Sequence, residues 1–143
     1  MALSEHRTYQ TVGPVVRVPG KLDDEVTFYK GALLVFNASG HLTLPTNAAG
    51  QIPAGVWTGF GLDIGADSLT TAEDEHPDSE VIQGLVWVPF ADASQANVGT
   101  LMYLDDDETV TATAGDRDQA VRVKAFTDGY LLVDFNTVYD ESA

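Results

Sequence analysis

Residues 31–44, GALLVFNASGHLTL, and residues 99–112, GTLMYLDDDETVTA, read as one object used twice. Each opens on a glycine (Gly31, Gly99) and runs through an apolar strand (residues 32–36 and 100–104). Each then turns on a polar tetrapeptide (Asn37-Ala38-Ser39-Gly40; Asp105-Asp106-Asp107-Glu108) and returns as an alternating strand. Apolar runs joined by short polar turns are hairpin signatures. Shared residues are few: the glycine, Leu33 with Leu101, and Thr43 with Thr111, so the repeat is one of pattern rather than of residues. A third hairpin is plainer still, because residues 120–126 and 130–135 flank Thr127-Asp128-Gly129, and Asp-Gly between alternating runs is a strong turn signal. No segment sustains a 3.6-residue period, and residues 91–98, with Ser94 as cap, predict at most one helical turn. The expected fold is all-β: a small single domain built from hairpins, over residues 21–137.

Composition narrows the function classes. The 143 residues fit one domain with a core of its own, and no cysteine is present to supply a disulfide, a zinc-thiolate site or a thiol nucleophile. Seven Lys and Arg against 22 Asp and Glu give a formal charge of −15, which repels a polyanion and removes the counterion-release contribution to nucleic-acid binding. The acidity suits a basic or polar partner surface, a halophilic setting, or solubility alone. A 44% share of hydrophobic residues is enough to fold despite that charge. With no apolar run long enough to cross a membrane and no basic-then-apolar leader in MALSEHRTYQ, the expectation is a soluble protein made in the cytoplasm, without membrane partners.

Outside the hairpins, residues 1–20 are punctuated by Gly13, Pro14, Pro19 and Gly20, and read as an extended arm with a short edge strand, since proline cannot donate to a ladder. Such an arm either reaches a neighbour or lies along its own domain. Residues 63–80 read as an acidic loop insertion (Asp63, Asp67, Glu73, Asp74, Glu75), residues 81–89 as a strand buried on both faces, and residues 138–143 as a loose tail.

Catalytic and metal motifs are mostly missing. His6, His41 and His76 lack the i, i+4 spacing of a helical metal pair, and read as ordinary exposed or hydrogen-bonded histidines. Residues 105–108 fail the calcium-loop pattern, because Thr109 follows and no glycine does; they read as a solvent-exposed turn. Residues 59–65 are glycine-rich, but no helix follows to cradle a phosphate, and no G-x-S-x-G elbow occurs. Of the two tryptophans, Trp87 lies among Val86 and Val88 and reads as core. Trp57, between Gly55 and Gly59, is the better candidate surface aromatic for an oligomer or partner contact, although packing is the favoured reading there too, since large aromatics anchor small β cores.

The order of the pieces resembles a known family. The segments are KGALLV (30–35), GVW (55–57), IQGLVWVP (82–89), VGTLMYLD (98–105), VTAT (110–113) and VRV (121–123). Together they resemble the capsid decoration, or cement, proteins of tailed bacteriophages, in which a G-x-x-V-Y-x-D strand precedes a V-T-x-T return; here Met102 stands at the first valine of that pattern. The resemblance spans about residues 26–135 and does not extend to the acidic stretch 63–80. It implies a small β-barrel or β-tulip-like domain of the virion's outer capsid surface, whose partners are the major capsid protein and further copies of itself, commonly as a homotrimer at three-fold and quasi-three-fold positions. It implies no catalysis, no metal and no cofactor. On this reading Thr8, Tyr9, Val12, Val15, Val16, Arg17 and Val18 contact the capsid or a neighbouring copy by strand addition, and the acidic loops face solvent. The alternative is a carbohydrate-binding or adhesive β-sandwich, stacking sugars on Trp57 and the tyrosines. A weaker third reading is a glycan-active enzyme using two of the many carboxylates.

Overall fold

The computed structural model describes residues 10–140; Thr8 and Tyr9, assigned above to arm contacts, lie outside them. Eleven strands follow in order: β1 (Thr11–Lys21), β2 (Thr27–Tyr29), β3 (Leu33–Phe36), β4 (Leu42–Thr43), β5 (Ile52–Trp57), β6 (Ser68–Thr70), β7 (Asp78–Pro89), β8 (Leu101–Leu104), β9 (Val110–Thr111), β10 (Gln119–Thr127) and β11 (Tyr130–Asp140). A single 3₁₀ turn, Gln95–Asn97, precedes β8; the Asn97 side chain accepts from the Ser94 N–H at 2.8 Å. The fold is all-β. Eight antiparallel strands in the order β4-β3-β5-β7-β11-β10-β8-β9 curl into a half-barrel, β1 adds to β7, and β2 and β6 form a separate two-stranded sheet.

The hairpins sit where alternation and turn residues place them. β3 returns as β4 (Phe36 opposite Leu42), β8 as β9 (Leu104 opposite Val110), and β10 as β11 around Asp128-Gly129, with Gly129 at φ +80°. In the first turn, Asn37 Oδ1 accepts the N–H groups of Ser39 and His41, both at 3.0 Å, so the Asn-Ala-Ser triplet is a structural turn.

Period-two alternation divides the core. Leu33 and Val35 of β3 face the hollow of the half-barrel with Val86, Val88, Val121, Val133 and Phe135. Ala32 and Leu34 face the other way, into a second cluster with Leu22, Phe28, Leu42, Trp57 and Val81. The β2–β6 sheet contributes Phe28 and Leu69 to that second cluster, and so caps the outer face over β3, β5 and the start of β7.

Several expectations change. Of the two readings of the arm, residues 11–20 take the one in which it lies along its own domain, as a longer strand than expected: β1 pairs with β7 from Thr11 opposite Val86 to Lys21 opposite Asp78. A bulge between Val12 and Val16, with Gly13 at φ +74°, accommodates Pro14 inside the strand. β7 is not buried on both faces throughout; Val81, Gly84, Val86 and Val88 are buried while the residues between them are half-exposed. The stretch 63–80 is mostly loop but holds β6 and the first three residues of β7, and the strand β11 runs to Asp140, into the expected tail.

One glycine admits a close strand crossing, and another, in the β3–β4 turn, shows the cost of its conformation alone. Gly55, at φ +135°, lies so close to β7 that a Cβ there would sit 2.2 Å from the Ile82 carbonyl oxygen. Gly40, at φ +81°, has nothing within 4 Å. Gly55→Ala is expected to cost about 3–5 kcal/mol and Gly40→Ala about 1 kcal/mol, the difference isolating the clash from backbone strain alone. Urea melts of both variants check this; equal costs would refute the close crossing.

Candidate functional site

The residues singled out from sequence fall on two different surfaces and one core. β1 pairs with β7 along one edge and is exposed along most of its length. Val12, Val15 and Val16 are 42%, 40% and 57% exposed, a high value for three valines in one strand. Arg17 pairs with Glu80, and Lys21 Nζ with Asp78 Oδ1 at 2.8 Å, across the β1–β7 seam. Both pairs are solvent-exposed and fix register more than they add stability. At the C-terminal end of β1 a shallow groove joins Pro19 and Gly20 to Phe60, itself 57% exposed. The structure thus gathers Val12, Val15, Val16, Arg17 and Val18 on one strand.

Trp57 does not join them. It is 1% exposed, tilted against Phe28 at 5.7 Å between ring centroids, and its Nε1–H donates to Ser79 Oγ at 2.7 Å. Trp87 instead is half-exposed. The reversal has a simple cause: the outer face is capped by β2 and β6 at the β5 end, above Trp57, whereas Trp87 lies toward the other end of β7, beside β11. Trp57 is therefore a core residue, the favoured of its two readings, and a partner contact or sugar platform built on it is lost.

The turn 105–108 also departs from expectation. Asp107 and Glu108 are 2% and 8% exposed, and the turn is tied to β3 by the Leu33 N–H donating to the Asp107 carbonyl at 2.8 Å. Arg117 anchors Asp105 at 2.8 Å. Partial burial pushes the Asp106 carboxyl up and hydrogen bonds lower it, among them those that Oδ1 accepts from Glu108 N, Thr109 N and Thr109 Oγ1, each at 2.9 Å; the group lies below its ordinary value.

A third grouping was not visible in the sequence. Asp23, His41 and His76 each offer one ligand atom, all within 4.8 Å of one another, and are the one such His and carboxylate group among the described residues. The His41 and His76 rings stack at 3.9 Å with 13° between planes. His41 Nδ1 faces Asp23 Oδ1 at 3.9 Å, and both side chains are 25% exposed. Backbone pairing assembles them: Leu22 bridges Leu42 in parallel, Asp23 N donates to Leu42 O at 2.8 Å, and Leu22 N donates to Pro77 O at 2.9 Å. The neighbouring Asp24 carboxyl is held below its ordinary value, chiefly by the hydrogen bond it accepts from Asp74 N at 2.9 Å. No spacing rule finds this trio, because its members come from a linker, a hairpin and the loop before β7.

No family model, curated protein or solved structure matches the chain. Functional reading therefore rests on the surfaces themselves.

The lowered Asp106 pKa carries a sign. On acidification the unfolded chain takes up this proton first, so the stabilisation is complete above the ordinary carboxylate range and is lost as pH falls through the folded-state value. Asp106→Asn is expected to cost about 1 kcal/mol at pH 7, with the gap from the unsubstituted protein narrowing as the pH falls below the ordinary carboxylate range. Urea melts at neutral and at acid pH check this; a gap that widens on acidification would refute it.

Proposed function

We propose that this chain is a structural virion protein, a decoration or cement protein that docks on the outer surface of an icosahedral phage capsid. Its partners on this reading are the major capsid protein and two further copies of itself, as a trimer at three-fold and quasi-three-fold positions. The observation that carries the proposal is β1: an 11-residue strand, paired to β7 on one edge and exposed over most of its length, with Val12, Val15 and Val16 outermost. The segments that resemble the decoration family form β3, β5, β7, β8, β9 and β10, the frame on which β1 is displayed.

The mechanism follows from edge chemistry. An unpaired strand edge offers main-chain donors and acceptors that a neighbour's strand can complete, while alternate side chains select the neighbour. Pro14, Pro19 and the bulge at Gly13 interrupt the ladder and limit how far a foreign strand can pair, which keeps the edge from nucleating runaway aggregation. Each contact is weak alone. Three copies linked around one axis convert later contacts into intramolecular ones, and occupancy of every equivalent site on a shell becomes strong through effective concentration. The formal charge of −15 keeps unbound copies apart before they meet the shell.

The test combines solution mass by light scattering with co-sedimentation on capsids purified from the encoding phage lacking this protein. Trimers, or monomers that co-sediment at a saturating stoichiometry, are the expected result. Val12→Lys with Val16→Lys places two charges on the exposed edge; folding is expected to change by no more than about 0.5 kcal/mol each, while shell affinity falls about tenfold or more. A monomer that ignores shells overturns the proposal.

A further inference from the structure

The trio at the junction of the β3–β4 hairpin and the loop before β7 is chemically distinct from the rest of this acidic surface. We propose that Asp23, His41 and His76 form a binding site for one zinc ion per chain, a site that staples three distant segments of a cysteine-free fold. The inference stands apart from the docking reading and needs no partner.

The donor set selects the metal class. Calcium and magnesium take six or more oxygens, whereas two imidazoles and one carboxylate suit borderline cations, of which zinc accepts three protein ligands plus water. The ligands are also oriented from outside. His76 Nδ1 lies 3.1 Å from the Leu22 carbonyl, so as a donor it fixes the tautomer that leaves the Nε2 lone pair for a metal. Asp23 Oδ1 accepts the Asp24 N–H at 3.0 Å, and the backbone of His41 is clamped by Asn37, whose N–H donates to the His41 carbonyl at 2.9 Å while its Oδ1 accepts the His41 N–H. The His41 Nδ1 atom sits 3.9 Å from its carboxylate neighbour, beyond hydrogen-bonding range.

Binding asks for a small, local movement. Zinc bonds of 2.0–2.2 Å place ligand atoms about 3.3 Å apart in a tetrahedral shell, so the donors close inward and the stacked rings splay until the ion lies in the plane of each. The backbone links among Leu22, Leu42 and Pro77 hold the three segments in place while side-chain torsions make that adjustment. Asp24, Asp74 and Glu75 flank the site and raise the local concentration of cations.

The experiment is isothermal titration of the tag-free protein with zinc chloride, repeated with calcium and magnesium chlorides, alongside thermal melts. One equivalent of zinc is expected, with no comparable calcium or magnesium binding, and zinc at a hundredfold excess over its dissociation constant is expected to raise the melting midpoint by roughly 6–10 °C. His41→Gln and His76→Gln are each expected to lose the stoichiometric site and the shift while melting near the metal-free parent. A readout independent of substitution is one equivalent of Co²⁺ on the unsubstituted protein, expected to perturb the imidazole NMR signals of two of its three histidines. No zinc binding, zinc binding that survives both substitutions, or cobalt that perturbs no histidine pair overturns the proposal.

Discussion

The fold depends on how closely β7 can be approached from both sides. On one side Gly55 lets β5 cross against the Ile82 carbonyl, and on the other Gly84 lets the β1 bulge settle, since a Cβ at Gly84 would lie 2.9 Å from Val15 Cγ1 and 3.1 Å from the Pro14 oxygen. Any side chain at either position pushes a strand off the sheet. Because β5 and β11 share the same edge of β7 end to end, β7 joins the two halves of the sheet, and the shared core and the Leu33 N–H bond to the Asp107 carbonyl tie them across the hollow. The close approach of β5 and of the β1 bulge to β7 rests on two missing Cβ atoms.

The split core explains how a small chain without cysteines holds together. β3 serves both clusters, with successive residues buried to opposite faces, so one short strand contributes to two hydrophobic surfaces. The β2–β6 sheet is held to the body by Thr71, whose hydroxyl donates to the Asp23 carbonyl at 2.7 Å and accepts the Val26 N–H at 3.1 Å. This buried threonine satisfies backbone groups that a cap made of three-residue strands leaves unpaired.

Local pattern was legible, and its failures are instructive. The hairpins at residues 33–43, 101–111 and 119–140 were readable because turn residues and alternation lie next to each other in the chain. The full length of β1 was hidden because Pro14, Pro19 and Gly13 are breakers by every local rule, which left room only for a short edge strand. The exposure of Trp87 was hidden for a related reason: flanking valines favour its burial, but burial is decided by which part of the outer face β2 and β6 cover. Asp23, His41 and His76 were invisible, since their approach is set by the bridge between Leu22 and Leu42.

The order of synthesis gives β1 a particular history. Its residues leave the ribosome well before β7, the strand with which they pair among the described residues. The β3–β4 hairpin closes locally and at once, whereas the β1–β7 seam waits for some sixty intervening residues and closes slowly, as pairings distant in sequence do. During that interval Val12, Val15 and Val16 are an unprotected apolar strand in a crowded cell. Pro14 and Pro19 then act as gatekeepers of the nascent chain, guarding the same edge that the finished protein leaves open.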